Sequence, residues 1–129
     1  MKSDMYVAAR AAMANSYSPY SKFPVGASLL TKDGSIYCGC NIEIASYPEG
    51  WCAETSAIAH MVTAGENEIA EILVVAEKKS AVTPCGGCRQ RLAEFAKPET
   101  PVHLCDDRGV VETVTLGALL PTSFDLDEK

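Results

Sequence analysis

A mixed α/β fold, one sheet layered with helices, is what this sequence predicts, and three observations predict it. Segments with helical and strand patterning follow one another in the order α-β-β-α-β-α-β-β. Asp33-Gly34 lies between two β-prone runs, which is the signal of an antiparallel hairpin. Residues 72–76 form an unbroken apolar run bounded by Glu71 and Glu77, as expected of a strand covered on both faces.

Taken in order, residues 4–14 are rich in Ala and Met with Asp4 able to cap, and they predict a first helix that ends before the turn-rich segment 16–24. Val25–Thr31 and residues 35–40 are the arms of the hairpin. Residues 53–64 place Ala57, Ile58, Met61 and Val62 at helical spacing, with Gly65 just past the end as a helix stop. After the buried strand, residues 86–96 offer Leu92, Ala93 and Phe95 ahead of Pro98, which predicts a third helix. Residues 102–105 and 110–114 bracket a turn as two more strands, and 116–120 adds a short helix before Pro121. One domain spanning residues 1–129 accounts for all of this, with 125–129 as an acidic, frayed tail.

Composition narrows the function. Seventeen acidic against eleven basic residues leave a net charge of −6, opposite in sign to the footprint that binds phosphate backbones, so polymeric nucleic acid is excluded as a partner. No apolar run approaches the ~20 residues that span a bilayer, and the start Met-Lys-Ser-Asp leads into an Ala-rich stretch broken by Arg10 rather than an export signal. The expected location is the cytoplasm, with no membrane partner. Six cysteines could make a disulfide framework, but such frameworks belong to secreted chains, so reduced thiols or metal ligands are expected instead.

Three of those cysteines carry the chemistry. Cys52-Ala53-Glu54 and Pro84-Cys85-Gly86-Gly87-Cys88 each fall at the start of a predicted helix. Free N–H groups and the positive end of the dipole favour thiolates there. Three thiolates suit zinc and leave a fourth position for water. Glu54, two residues beyond a ligand, stays within one helical turn and reaches that water without binding the metal. A closed structural zinc site or a redox Cys-x-x-C pair would use the same cysteines. Cys38, Cys40 and Cys105 read as buried, inert strand cysteines, and His60 and His103 as satisfied histidines.

The residues resemble the homotetrameric zinc-dependent cytidine deaminases. The resemblance rests on five segments in chain order: Ser18-Pro19-Tyr20-Ser21-Lys22-Phe23-Pro24-Val25-Gly26-Ala27, Gly39-Cys40-Asn41-Ile42-Glu43, Cys52-Ala53-Glu54, Pro84-Cys85-Gly86-Gly87-Cys88-Arg89-Gln90, and Leu119-Leu120-Pro121-Thr122-Ser123-Phe124. In the zinc-deaminase signature H-x-E…P-C-x-x-C, Cys52 stands at the His position.

The resemblance implies a three-layer α/β/α cytidine deaminase-like fold with a mixed central sheet. It implies one Zn²⁺ per chain on Cys52, Cys85 and Cys88, with Glu54 as proton shuttle in the hydrolytic deamination of cytidine and deoxycytidine at C4. Phe23 would pack on the pyrimidine, Ala53 would lie at the substrate, and Asn41 and Glu43 would hold the ribose 3′-hydroxyl. Ala45 and Tyr47 would reach a neighbouring subunit's site, and Phe124 would close another, so the implied assembly is a homotetramer with shared sites.

Two positions depart from the family's pattern. Thr55 replaces an Arg that follows the catalytic Glu, and Ile44 replaces an Asn. Arg89 and the helix dipoles are the expected compensation for the missing cation beside the thiolates. Two other readings stand beside this one: a zinc deaminase of another amino-heterocycle, resembling the blasticidin-acting relatives, and a non-catalytic zinc-stabilised interaction protein.

Overall fold

The Asp33-Gly34 turn brings two strands together, with Gly34 at φ +86°, where an L side chain would be strained. In the computed structural model, which describes residues 2–126, those strands are β1 (Val25–Thr31) and β2 (Ile36–Cys40). They are preceded by α1 (Lys2–Met13) and followed by α2 (Ala53–Thr63), β3 (Ile69–Ala76), α3 (Gly86–Phe95), β4 (Pro101–Cys105), β5 (Val110–Thr115) and α4 (Leu116–Leu119). The sheet runs in the order β2-β1-β3-β4-β5. Pairing is antiparallel except between β3 and β4, which are parallel, so the sheet is mixed.

Strand alternation builds the three layers. Leu30, Leu73, Val75 and Cys105 face α1 and pack with Met5, Ala9 and Met13. Leu29, Ile72, Val74, Val102 and Leu104 face the other way, against Ala57, Ile58 and Met61 of α2, Leu92 of α3 and Leu116 of α4. The consecutive residues Ile72 to Val75 thus serve both cores, which is why the run reads as continuously apolar.

Two glycines let the helices sit this close. A Cβ on Gly26 would lie 2.1 Å from the Ala9 carbonyl oxygen of α1, and one on Gly39 would lie 2.4 Å from the Ala57 nitrogen of α2. Gly39 therefore fixes the depth at which the start of α2 rests on the sheet.

Several boundaries differ from expectation. β3 starts at Ile69 rather than 72, because Ile69 pairs with Thr31 across a register shift and Glu71 fits within the strand through the His103 ring, 2.7 Å away. α1 begins at Lys2, so Asp4 lies in its first turn rather than at the cap, still where a carboxylate complements the dipole. A 3₁₀ turn at Tyr47–Glu49, which carries Pro48, was not anticipated. Of the expected tail, Asp125 and Leu126 have no regular secondary structure, and 127–129 lie outside the described residues.

The segment between β2 and α2 turns back on itself. Ile42 and Trp51 exchange backbone hydrogen bonds at 2.8 and 2.9 Å, and the Glu43 N–H donates to the Tyr17 carbonyl at 2.8 Å. This return brings Cys52 beside Asn41 and Glu43. Among the described residues no helix is long and apolar enough to cross a membrane.

Candidate active site

The caps of α2 and α3 are cysteines. Cys52 and Cys85 both adopt extended N-cap geometry, and neither side chain makes the usual capping hydrogen bond to its own helix. Their sulfurs turn to each other instead, 3.5 Å apart. Cys88 stands one turn into α3, fully buried, and the three Sγ atoms all lie within 4.8 Å of one another. All six cysteines are free thiols, so no disulfide explains this gathering.

The donor set fits zinc. Sulfur ligands at about 2.3 Å around a tetrahedral ion lie about 3.8 Å from each other, within the spread found here. Without a cation the Cys88 thiol is held well above its ordinary value, first by its hydrogen bond with Cys52, then by burial and by the Glu54 carboxylate. A bound divalent ion would reverse that balance and favour the Cys88 thiolate.

Glu54 occupies the first turn of α2 and is 4% exposed. Burial pushes its carboxyl above the usual range, against a hydrogen bond from its own backbone N–H. Thr55, next along the helix, places Oγ1 3.5 Å from the Cys88 sulfur. Arg89 does not take the place expected for it. Its guanidinium donates to the Pro84 and Leu119 carbonyls at 2.7 and 2.8 Å and to Thr83 Oγ1 at 3.2 Å, so the thiolate neighbour in this chain is the Thr55 hydroxyl. The reason is geometric: Arg89 follows Cys88 on α3 and projects toward the Thr83-Pro84 loop rather than back into the cluster.

Cys52 also lines a cavity of about 380 Å³ with Tyr20, Ser21, Asn41, Glu43, Tyr47 and Trp51. A larger one, about 700 Å³, lies along α3 and α4 and is lined by none of the cluster residues. Around the smaller cavity, Asn41 Oδ1 accepts from Val25 N and Ser16 Oγ, and Asn41 Nδ2 donates to the Phe23 carbonyl at 2.9 Å. Glu43 Oε1 accepts from the N–H groups of Tyr20 and Ser21, both at 3.0 Å, and Oε2 accepts from Ser21 Oγ. These bonds, the Ser21 hydroxyl's above all, hold the Glu43 carboxyl below its usual range.

Residues 1–104 match the family described as the cytidine and deoxycytidylate deaminase zinc-binding region. The chain belongs to this family. It is 46% identical over 112 residues to a cytidine deaminase of Sporosarcina psychrophila, covering 87% of this chain and 82% of that one. To a cytidine deaminase of Halalkalibacterium halodurans it is 44% identical, with 87% and 85% covered. The solved structure of cytidine deaminase from Burkholderia pseudomallei superposes with a TM-score of 0.90 at 41% identity, over 96% of this chain and 99% of that one.

The deaminase-family fold therefore carries one Zn²⁺ site per chain on its three-cysteine cluster. The other anticipated residues take different places. Asn41, Glu43 and Tyr47 share the cavity with Cys52, whereas Phe23 is half-buried beside it and tied through its carbonyl to Asn41. Ala53 is wholly buried, main chain included, with its carbonyl against Gly39. Ala45 is exposed, and Tyr47 and Phe124 are 74% and 72% exposed, the latter tethered at its carbonyl by Gln90 Nε2 at 3.2 Å. Sequence reasoning did not single out Trp51, Tyr20 or Ser21 individually. The chain's sole Trp directly preceding a ligand was a usable signal for the first.

Proposed function

We propose that this chain, acting as one cytidine deaminase-like domain, hydrolyses the 4-amino group of cytidine and deoxycytidine to give uridine and deoxyuridine with release of ammonia. The observation that carries the reading is the gathering of three sulfurs, with the buried Glu54 acting electrostatically on Cys88, beside a cavity that Cys52 lines. Zinc held by Cys52, Cys85 and Cys88 supplies a nucleophile at neutral pH by lowering the pKa of water to about 7. Glu54 would take one proton from the attacking water and pass it to N3 of the ring, then take the proton of the new C4 hydroxyl and pass it to the amine, which leaves as ammonia as the C4 carbonyl forms. Thr55 steadies the Cys88 sulfur with its hydroxyl.

The sugar contact follows from hydrogen-bond capacity. Among the described residues, Asn41 has both Oδ1 lone pairs occupied and one N–H left, while Glu43 has three of about four acceptor positions occupied. One remaining donor and one remaining acceptor match a single hydroxyl, which both accepts and donates. We assign that hydroxyl to the ribose 3′ position, common to both nucleosides. Among the described residues no Lys, Arg or His lines this cavity, and the Glu43 carboxylate adds negative charge to it, which favours the nucleoside over the nucleotide. Phe23 supports the pyrimidine, with Ala53 packed at the start of the helix that carries Glu54 to the substrate.

The exposed Tyr47, Trp51, Ile44 and Phe124 side chains and the exposed Ala45 support a homotetramer in which copies complete each other's sites. The free thiols support a reducing, cytoplasmic setting. A panel of cytidine, deoxycytidine, 2′,3′-dideoxycytidine and cytosine, followed by ultraviolet absorbance, tests the reading. Comparable kcat/KM is expected for the first two, and at least ~10-fold lower values for the others. Full activity on the dideoxy compound or the free base would remove the sugar assignment, and no activity on any of the four would remove the reaction.

A further inference from the structure

Arg89 stands where the metal loop and the end of the chain meet. Its Nε donates to the Pro84 carbonyl, immediately before Cys85, and Nη2 donates to Thr83 Oγ1 in the same loop. Nη1 donates to the carbonyl of Leu119, the last residue of α4. One residue on, Gln90 Nε2 donates to the Phe124 carbonyl. A guanidinium is planar and presents its donors in fixed directions, so acceptors on two segments bound to one guanidinium are held in one relative position. A flexible ammonium does not impose that constraint.

We propose that Arg89 is a positioning residue that couples the metal loop, residues 83–88, to the C-terminal segment, residues 120–126, so that ordering one orders the other. The inference rests on reading Cys85 and Cys88 as zinc ligands. Arg89 touches neither the cluster sulfurs nor the 380 Å³ cavity; it acts through the carbonyls it holds. Coupling of this kind is reciprocal. Metal that settles Cys85 and Cys88 settles Pro84 and, through the guanidinium, Leu119 and the segment after it. Loosening that segment in turn speeds metal loss.

The test uses the full chain with zinc bound. Zinc transfer to an excess of a chromogenic chelator is timed for wild type, Arg89→Lys and Leu92→Ala, the last a core change on the same helix. Amide hydrogen exchange of residues 120–126 is followed with and without metal. Arg89→Lys keeps the charge and loses the planar fork, so zinc should leave roughly 10- to 100-fold faster, the range for partners that orient ligands from outside. Exchange in 120–126 should rise in that variant while β1 and β3 stay protected. In wild type, removing zinc should raise exchange in 120–126, an arm that needs no variant to fold. A C-terminal segment indifferent to zinc in wild type, a wild-type release rate in Arg89→Lys, or the same local pattern in Leu92→Ala would each overturn the coupling. A wild-type chain that holds no zinc at all would overturn the ligand assignment instead, so the two failures are distinguishable.

Discussion

Cys52, Cys85 and Cys88 begin helices, whereas Cys38, Cys40 and Cys105 lie in strands, and the two groups meet different fates. Neighbours i and i+2 on a strand stand about 6.6 Å apart along the chain, so Cys38 and Cys40 share a face without gathering round one point. Burial first, and Cys38 second, raise the Cys40 thiol; burial and then Asp106 push Cys105 up to about 12. Cys105 packs in the core beneath α1 as a small hydrophobic residue. At the helix starts, a cap residue and one a turn later fall on one side, and two such starts face each other. The cysteine itself is the same in both places. Backbone geometry decides whether it becomes a ligand or filler.

The largest effect that could break this comparison is a swap across the groups. Cys88→Ser should reduce zinc from about one per chain to near zero and abolish deamination, while Cys105→Ser leaves zinc content unchanged. Metal analysis of the two purified variants decides it: a full complement of zinc in Cys88→Ser, or its loss from Cys105→Ser, would show that the groups are not distinct.

A smaller effect separates holding metal from using it. Glu54→Gln keeps the shape and loses the proton shuttle, so kcat should drop by at least ~10²-fold with zinc retained. Unchanged turnover would remove Glu54 from the chemistry, and loss of zinc would make it part of the metal's support.

The smallest effect sharpens the strand side. Between the ordinary thiol value of 9.0 and about 12, folded Cys105 keeps a proton that the unfolded chain has released. The unfolded state then binds fewer protons, so stability falls as pH rises through that window, by at most about 1.4 kcal/mol per pH unit from this group. Denaturant unfolding at pH 8, 9 and 10 should therefore give a flatter profile for Cys105→Ala than for wild type. Parallel profiles would mean that Cys105 titrates as an ordinary thiol.

Much of the site was legible because its signals are local. The Cys-x-Glu and Pro-Cys-x-x-Cys spacings carry the ligands, and Gly65 and Pro98 mark where the helices that follow them stop. The start of β3 was less legible, since Glu71 reads as a boundary until its partner His103, 32 residues away, is known. Arg89 was misplaced for a related reason. A cation beside a ligand in sequence suggests a cation beside the metal, but its acceptors on Pro84 and Leu119 are close only after folding.

What the sequence by itself determined is the order of elements, the hairpin, the two-faced apolar strand and the cysteines at helix starts, because turn chemistry, side-chain periodicity and capping act within a few residues. The tertiary structure alone decided the strand order β2-β1-β3-β4-β5, the approach of Thr55 to the Cys88 sulfur, and the hydrogen bonds that leave Asn41 and Glu43 one position each. Those outcomes join residues from separate elements. Distance in space, set by how helices rest on Gly26 and Gly39, chooses among polar partners that the local pattern leaves equivalent.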